Sequence, residues 1–108
     1  MRYEECNLGF STADAGDVKL SYSRGDLLLE FLDWRENLIK VRFTDVIRFN
    51  WTHGLDDAVR QDTCYRVLDS PWTLTDLAAE GNTVFCHYKL CFNACGTLDV
   101  ACGATSTE

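Results

Sequence analysis

A chain of 108 residues with 17 acidic and 10 basic side chains carries a formal net charge of −7, which argues against nucleic acid and anionic membrane as partners, since both are held by a basic footprint. Hydrophobic residues make up 46%, with three Trp, four Tyr, six Phe and one Pro; such a chain is neither disordered nor of low complexity, and its length fits a single domain over residues 1–108. No stretch approaches the ~18 apolar residues of a membrane span, and MRYEECNLGF lacks the basic-then-apolar run of an export signal, so the expected compartment is cytoplasmic, with six reduced cysteines.

Taken in order, residues 1–16 have no clean period. Tyr3, Leu8 and Phe10 suit an irregular arm or one short strand, and Ala13-Asp14-Ala15-Gly16 suits a turn. Val18 to Ser23 alternates, and a two-residue turn at Arg24-Gly25 sets Tyr22 opposite Leu27, Leu20 opposite Leu29, Val18 opposite Phe31 and Lys19 opposite Glu30. The next hairpin dominates the chain, DLLLEFLDWRENLIKVRFTDVIRFNW over Asp26 to Trp51. A three-residue loop at Arg35-Glu36-Asn37, with Asn37 in the left-handed region, pairs Phe31 with Val41, Leu29 with Phe43 and Glu30 with Arg42. Apolar residues then share one face, and Lys19, Glu30 and Arg42 make a charge row on the other. Leu28 and Leu32 sit among those charges and call for cover, from this chain or from a partner protein. Residues 44–51 read as a fourth strand of the same meander. Arg24-Gly25-Asp26 is a turn rather than an adhesion tripeptide, and the sequon Asn50-Trp51-Thr52 has no weight in a chain that is not exported.

The polar stretch Thr52 to Thr63 is a loop with Asp56, Asp57 and Asp62 beside His53 and Arg60. Cys64 to Asp69 reads as a short strand. A short helix over about 70–81 follows, started by Ser70-Pro71 or by Thr73 with Asp76, with Trp72, Leu74, Leu77 and Ala78 inward and Gly81 as its stop. Thr83 to Gly103 is a second hairpin. A loop at Ala94-Cys95-Gly96 puts Phe92 opposite Leu98, Leu90 opposite Val100 and Tyr88 opposite Cys102, with His87, Lys89, Cys91, Asp99 and Ala101 on the other side. Residues 104–108 read as a frayed tail. The expected fold is α+β and mainly β: an antiparallel meander of about four strands, one short helix and a C-terminal hairpin around one core.

Chemistry is thinly signalled. Cys86, His87, Cys91, Cys95 and Cys102 lack the tight C-x2-C pairs of a zinc knuckle, so no metal and no cofactor are expected. In the expected register Cys86 and Cys102 are diagonal neighbours ~7–8 Å apart, too far for a disulfide. Cys91, His87 and Asp99 compose a nucleophile set on paper, but nothing nearby except Lys89 would activate the thiol. There is no glycine-rich phosphate loop. The chain is not expected to be an enzyme.

Three groups of landmarks follow one another: Phe43-x-Asp45-Val46-x-x-Phe49-x-Trp51; Leu68-Asp69-Ser70-Pro71-Trp72-x-x-x-x-Leu77; and His87-Tyr88-x-Leu90 leading to Gly96-x-Leu98-Asp99-Val100-x-Cys102. Over about residues 18–103 this resembles small cytosolic bacterial β-rich domains, some assigned as immunity proteins of polymorphic or contact-dependent toxin systems. The resemblance implies a protein-binding module that neutralises a cognate toxin by binding it, without catalytic residues of its own. An acidic inhibitor suits a basic toxin domain, because complementary fields speed association. The expected contact residues are Asp56, Asp57 and Asp62. The alternative is a small-molecule-binding or enzymatic β-domain with a pocket around His87, Cys91 and Asp99.

Overall fold

Period-two patterning does set strands throughout the chain. The computed structural model describes residues 2–10, 12, 16–52, 63–68, 70–73, 85–92 and 96–107. Its strands are β1 (Tyr3–Glu5), β2 (Gly16–Ser23), β3 (Asp26–Leu32), β4 (Leu38–Thr44), β5 (Arg48–Thr52), β6 (Cys64–Val67), β7 (Cys86–Phe92), β8 (Gly96–Cys102) and β9 (Ala104–Thr107). They form two antiparallel sheets, one ordered β1-β6-β7-β8-β5 and the other β2-β3-β4-β9. The described residues are therefore all-β, which corrects the α+β expectation. Ser70 to Thr73 is a turn, with Thr73 N–H donating to the Ser70 carbonyl at 3.3 Å, and no helix occurs among the described residues. The rest of the expected helix, residues 74–81, lies outside them, as does the expected turn at residues 13–15.

The expected four-strand meander stops at three strands. β4 pairs with β9 from Val41 opposite Thr107 to Thr44 opposite Ala104. β5 pairs with β8 from Arg48 opposite Ala101 to Thr52 opposite Thr97. Successive residues of one two-stranded ribbon thus serve first one sheet and then the other. Gly103 N–H to the Thr44 carbonyl and Ile47 N–H to the Ala101 carbonyl, both 2.9 Å, carry the pairing round the corner. Asp45 takes a positive φ of 53° there, the kind of irregularity by which strands change sheet. Residues 104–107, expected as a frayed tail, are held in this ribbon as β9.

The core lies between the sheets. Leu27, Leu29, Phe31, Val41 and Phe43 from one face meet Leu90, Phe92, Leu98, Val100 and Cys102 from the other. Phe31 and Phe92 make an edge-to-face contact at 5.4 Å, and Trp51 lies 5.8 Å from Phe92. Leu28 and Leu32, on the opposite face of β3, are half-buried.

The face assignments hold, but both long hairpins are paired two residues away from the expected register. In the first, Leu29 faces Val41, Phe31 faces Ile39, and Glu30 faces Lys40. The loop is still three residues long but begins one residue earlier, at Trp34-Arg35-Glu36, with Glu36 rather than Asn37 at positive φ, 62°. The Asp33 carboxylate decides this. It accepts from the N–H groups of Arg35 and Asn37, both at 2.9 Å, as an aspartate at the first position of a turn does. The charge row becomes Lys19–Glu30–Lys40, and Arg42 instead lies 3.5 Å from Asp26. The turn at Arg24-Gly25 forms as expected, with both φ values positive (52° and 86°). The register from Tyr22 to Lys19 follows it, until a bulge before Lys19 removes the Val18–Phe31 pairing.

In the second hairpin Phe92 faces Gly96, Leu90 faces Leu98, Tyr88 faces Val100 and Cys86 faces Cys102. The two cysteines are directly opposite, not diagonal. Gly96 opens β8 instead of closing a loop, and its φ is 137°. A Cβ there would stand 2.6 Å from the Thr52 carbonyl oxygen and 2.8 Å from Trp51 Cζ2. Gly96→Ala should therefore destabilise by at least ~1–3 kcal/mol from backbone strain, before any steric displacement of Trp51. A neutral result in a urea melt would refute the close approach of β5 to β8. In the same assay Phe31→Ala should cost ~3–5 kcal/mol and Glu30→Ala no more than ~1 kcal/mol.

Candidate functional site

On the outer face of the five-stranded sheet, alternation along β7 and β8 brings His87, Lys89 and Asp99 together. His87 Nε2 is 2.8 Å from Asp99 Oδ1, and Lys89 Nζ donates to Asp99 Oδ2 at 3.2 Å. The sequence pairing of His87 with Asp99 is thus observed. Its third member is not Cys91 but Ser70, whose Oγ lies 2.5 Å from His87 Nδ1. Ser70 arrives on the turn 70–73, and the Trp72 ring stacks on the imidazole at 4.5 Å and 2°. Arg48, from the neighbouring edge strand β5, holds its guanidinium 4.6 Å over the Trp72 ring.

Proton roles follow from the partners. The Asp99 carboxylate can only accept, so Nε2 carries a proton; in the neutral imidazole Nδ1 then accepts from the Ser70 hydroxyl. Ser70 Oγ in turn accepts from Trp72 N–H at 3.1 Å. Serine, histidine and aspartate in hydrogen-bonded series are the parts of an acyl-transfer triad. Here the series is saturated and closed: Ser70 has no exposed surface, and His87 is 3% exposed under the Trp72 ring. A nucleophile must reach its substrate, and this hydroxyl does not. The chain of bonds instead clamps the 70–73 turn onto the sheet, with every polar atom along it partnered.

The aromatic surface lies elsewhere. Trp34, at the tip of the β3–β4 hairpin, is 56% exposed, with Leu38 beside the turn at 54%. The Arg35 guanidinium sits 4.4 Å over the Trp34 ring, and the Asp33 clamp fixes the backbone beneath both. At the sandwich edge Tyr22 and Phe49 pair at 5.3 Å over a cleft of about 290 Å³ with Val46, Ile47 and Arg48. Sequence reading missed Trp34 because it put the loop one residue later. The available signal was Asp33, a favoured opener of type I turns. Asp56, Asp57 and Asp62, the expected contact residues, lie outside the described residues.

Cys6, Cys64, Cys86, Cys91 and Cys102 are not joined in disulfides. Burial, with Cys86 nearby, pushes the Cys102 thiol up to about 12, and burial likewise pushes Tyr88 up to about 12, helped by the charge and hydrogen bond of Cys86. Among the described residues no helix is long and apolar enough to cross a membrane, and no three histidine, cysteine or acidic side chains are grouped to hold a metal ion. No protein-family model, no curated protein and no solved structure matches the chain.

The clamp has two measurable consequences. Asp99→Ala, which removes the acceptor shared by His87 and Lys89, should destabilise by ~3–5 kcal/mol, and Asp99→Asn by less. A fluorophosphonate that labels activated serines should leave Ser70 untouched in the folded protein. Stoichiometric labelling at Ser70 would show that the turn opens and that the triad is a working one.

Proposed function

We propose that this chain is a protein-binding module of the immunity type, which neutralises a basic bacterial toxin domain by covering part of its surface. The observation that carries the reading is the β3–β4 tip. A tryptophan more than half exposed, stacked with an arginine and held on a side-chain-clamped turn, is a preorganised anchor. Trp and Arg are the residues that most often dominate binding energy at protein interfaces, and rigidity lowers the entropy lost on docking.

Two further points support it. The most catalysis-like constellation among the described residues is buried and saturated, leaving its nucleophile no access to substrate. The net charge of −7 suits a basic partner, and a nuclease domain is basic because its own substrate is anionic. In this reading Asp56, Asp57 and Asp62 steer the encounter and Trp34 holds the complex.

The partner to test is the toxin domain encoded beside the gene. Trp34→Ala should raise the dissociation rate about 30-fold or more, as expected for a hot-spot aromatic, with little change in association. Reversing Asp56 and Asp57 to Lys should slow association and flatten its salt dependence, with little change in melting temperature. If neither pair of rates moves, these surfaces are not the interface. If the neighbouring protein does not bind at all, the immunity reading fails.

A further inference from the structure

A cavity of about 420 Å³ opens where β1 ends, lined by Glu5, Cys6, Asn7, Phe10, Thr12, Thr63 and Cys64. Two features of its wall are unusual. The first is a pair of thiols on adjacent strands. β1 and β6 pair as far as Glu5 opposite Tyr65, and Cys6 N–H then donates to the Cys64 carbonyl at 3.0 Å. That continues the register by one residue and sets Cys6 and Cys64 directly opposite, with both side chains packed at the rim of the core. Directly opposed residues hold their Cβ atoms ~4.5–5.5 Å apart. Cys6 N–H and the Cys64 carbonyl are bonded to each other, which is the wider of the two antiparallel pairings and leaves space between the sulfurs. The second feature is Thr12. It is 1% exposed, and its Oγ1 has no hydrogen-bond partner among the described residues. A buried hydroxyl left unpaired calls for an explanation, and this one lines the same cavity as the two thiols.

We propose that Cys6 and Cys64 form a two-coordinate dithiolate site for a soft monovalent cation, Cu(I) by chemical class, with the Thr12 hydroxyl as donor to the bound sulfurs. The ligand set selects the ion. Thiolates favour soft ions, and a linear two-sulfur site suits Cu(I), whereas Zn(II) requires four ligands. Binding forms two Cu–S bonds and breaks two S–H bonds: Cu⁺ and two thiols give a dithiolate complex of charge −1 and two protons released to solvent. No electron is transferred.

Burial, with Cys6 and Cys91 nearby, pushes the Cys64 thiol up to about 12. Burial also raises Cys6, against the opposing pull of Arg66. Because binding releases both thiol protons, metal affinity at such a site falls as pH falls. Arg66 is also the cation placed to offset the negative charge of the complex. This inference is independent of toxin binding.

The test is anaerobic titration of the reduced protein with Cu(I) against bicinchoninate as competing chelator, with X-ray absorption on the loaded protein. The wild-type chain should hold one ion against the chelator, bound by two sulfurs. Cys6→Ser, at a half-buried position that tolerates the change, should weaken retention by about 100-fold or more, the factor lost when a two-point attachment becomes one. Cys64→Ser should do the same if it folds, while Cys86→Ser should not. Zn(II) should not be retained against a chelator. Failure of the wild type to hold Cu(I), equal retention by Cys6→Ser, or three or more sulfur ligands would each overturn the proposal.

Discussion

The bent ribbon made by β4–β5 and β9–β8 is the constraint on which the other contacts depend. Among the described residues it keeps hydrogen-bond pairing continuous from one sheet to the other, through Gly103 to Thr44 and Ile47 to Ala101. Because the same two chain segments serve both sheets, the relation between the sheets is fixed by backbone bonds as well as by side-chain packing. Phe31 can then meet Phe92, and Trp51 can lie over Gly96. The ribbon also explains the burial of β8 over all seven of its residues: it has a paired neighbour on each side, the core beneath and a clamped turn near its outer face. A strand in that position tolerates polar residues only if each is partnered, and Asp99 is partnered by both His87 and Lys89.

The particular errors of sequence reading follow from what period-two patterning can and cannot encode. Which face each residue joins was legible: Leu29, Phe31, Val41 and Phe43 are inward, and His87, Lys89 and Asp99 share the outer side. A slip of one residue inverts every face and is easily rejected. A slip of two leaves every face unchanged, so apolar still meets apolar and Glu30 still meets a cation, Lys40 in place of Arg42. Both hairpins were misread by that undetectable amount. Turn chemistry and distant contacts break the degeneracy. Asp33 clamps the first turn one residue early, and Gly96 lies in β8 under Trp51, a residue 45 positions away. The β2–β3 hairpin keeps the expected register from Tyr22 to Lys19, set by the two-residue turn at Arg24-Gly25 with both φ positive, and departs from it only at the bulge before Lys19.

Sheet membership was the less legible part. Residues 48–52 alternate as well as any strand in the chain, and nothing local says that they pair with β8 instead of β4. The helix start at Ser70-Pro71 failed for a related reason. Ser70-Pro71 is a sound helix opening, and Ser70 does cap a backbone N–H, that of Trp72. Its hydroxyl also answers to His87, 17 residues later, and that bond gives the turn a second purpose that local propensity does not see. The same non-local bond hid Ser70 from any search for a triad, while His87 and Asp99 could be found because they share a hairpin.

Where the polar atoms are satisfied also bears on where function can reside. A group with all its bonds made inside the fold has little left to offer a ligand, since any new bond must first break an old one at a cost of ~1–3 kcal/mol for a buried donor or acceptor. The Ser70–His87–Asp99 series is in that condition. Trp34 is in the opposite one: its ring is exposed, its backbone is fixed by Asp33, and Arg35 gives it a cationic cover that a partner could share or displace. Thr12 differs from both, being buried and unpaired among the described residues. The residues that most resemble a catalytic centre are therefore the least available for chemistry. The proposed capacity for interaction lies in an aromatic turn that the sequence reading passed over and in a pair of thiols, Cys6 and Cys64, to which it gave no role.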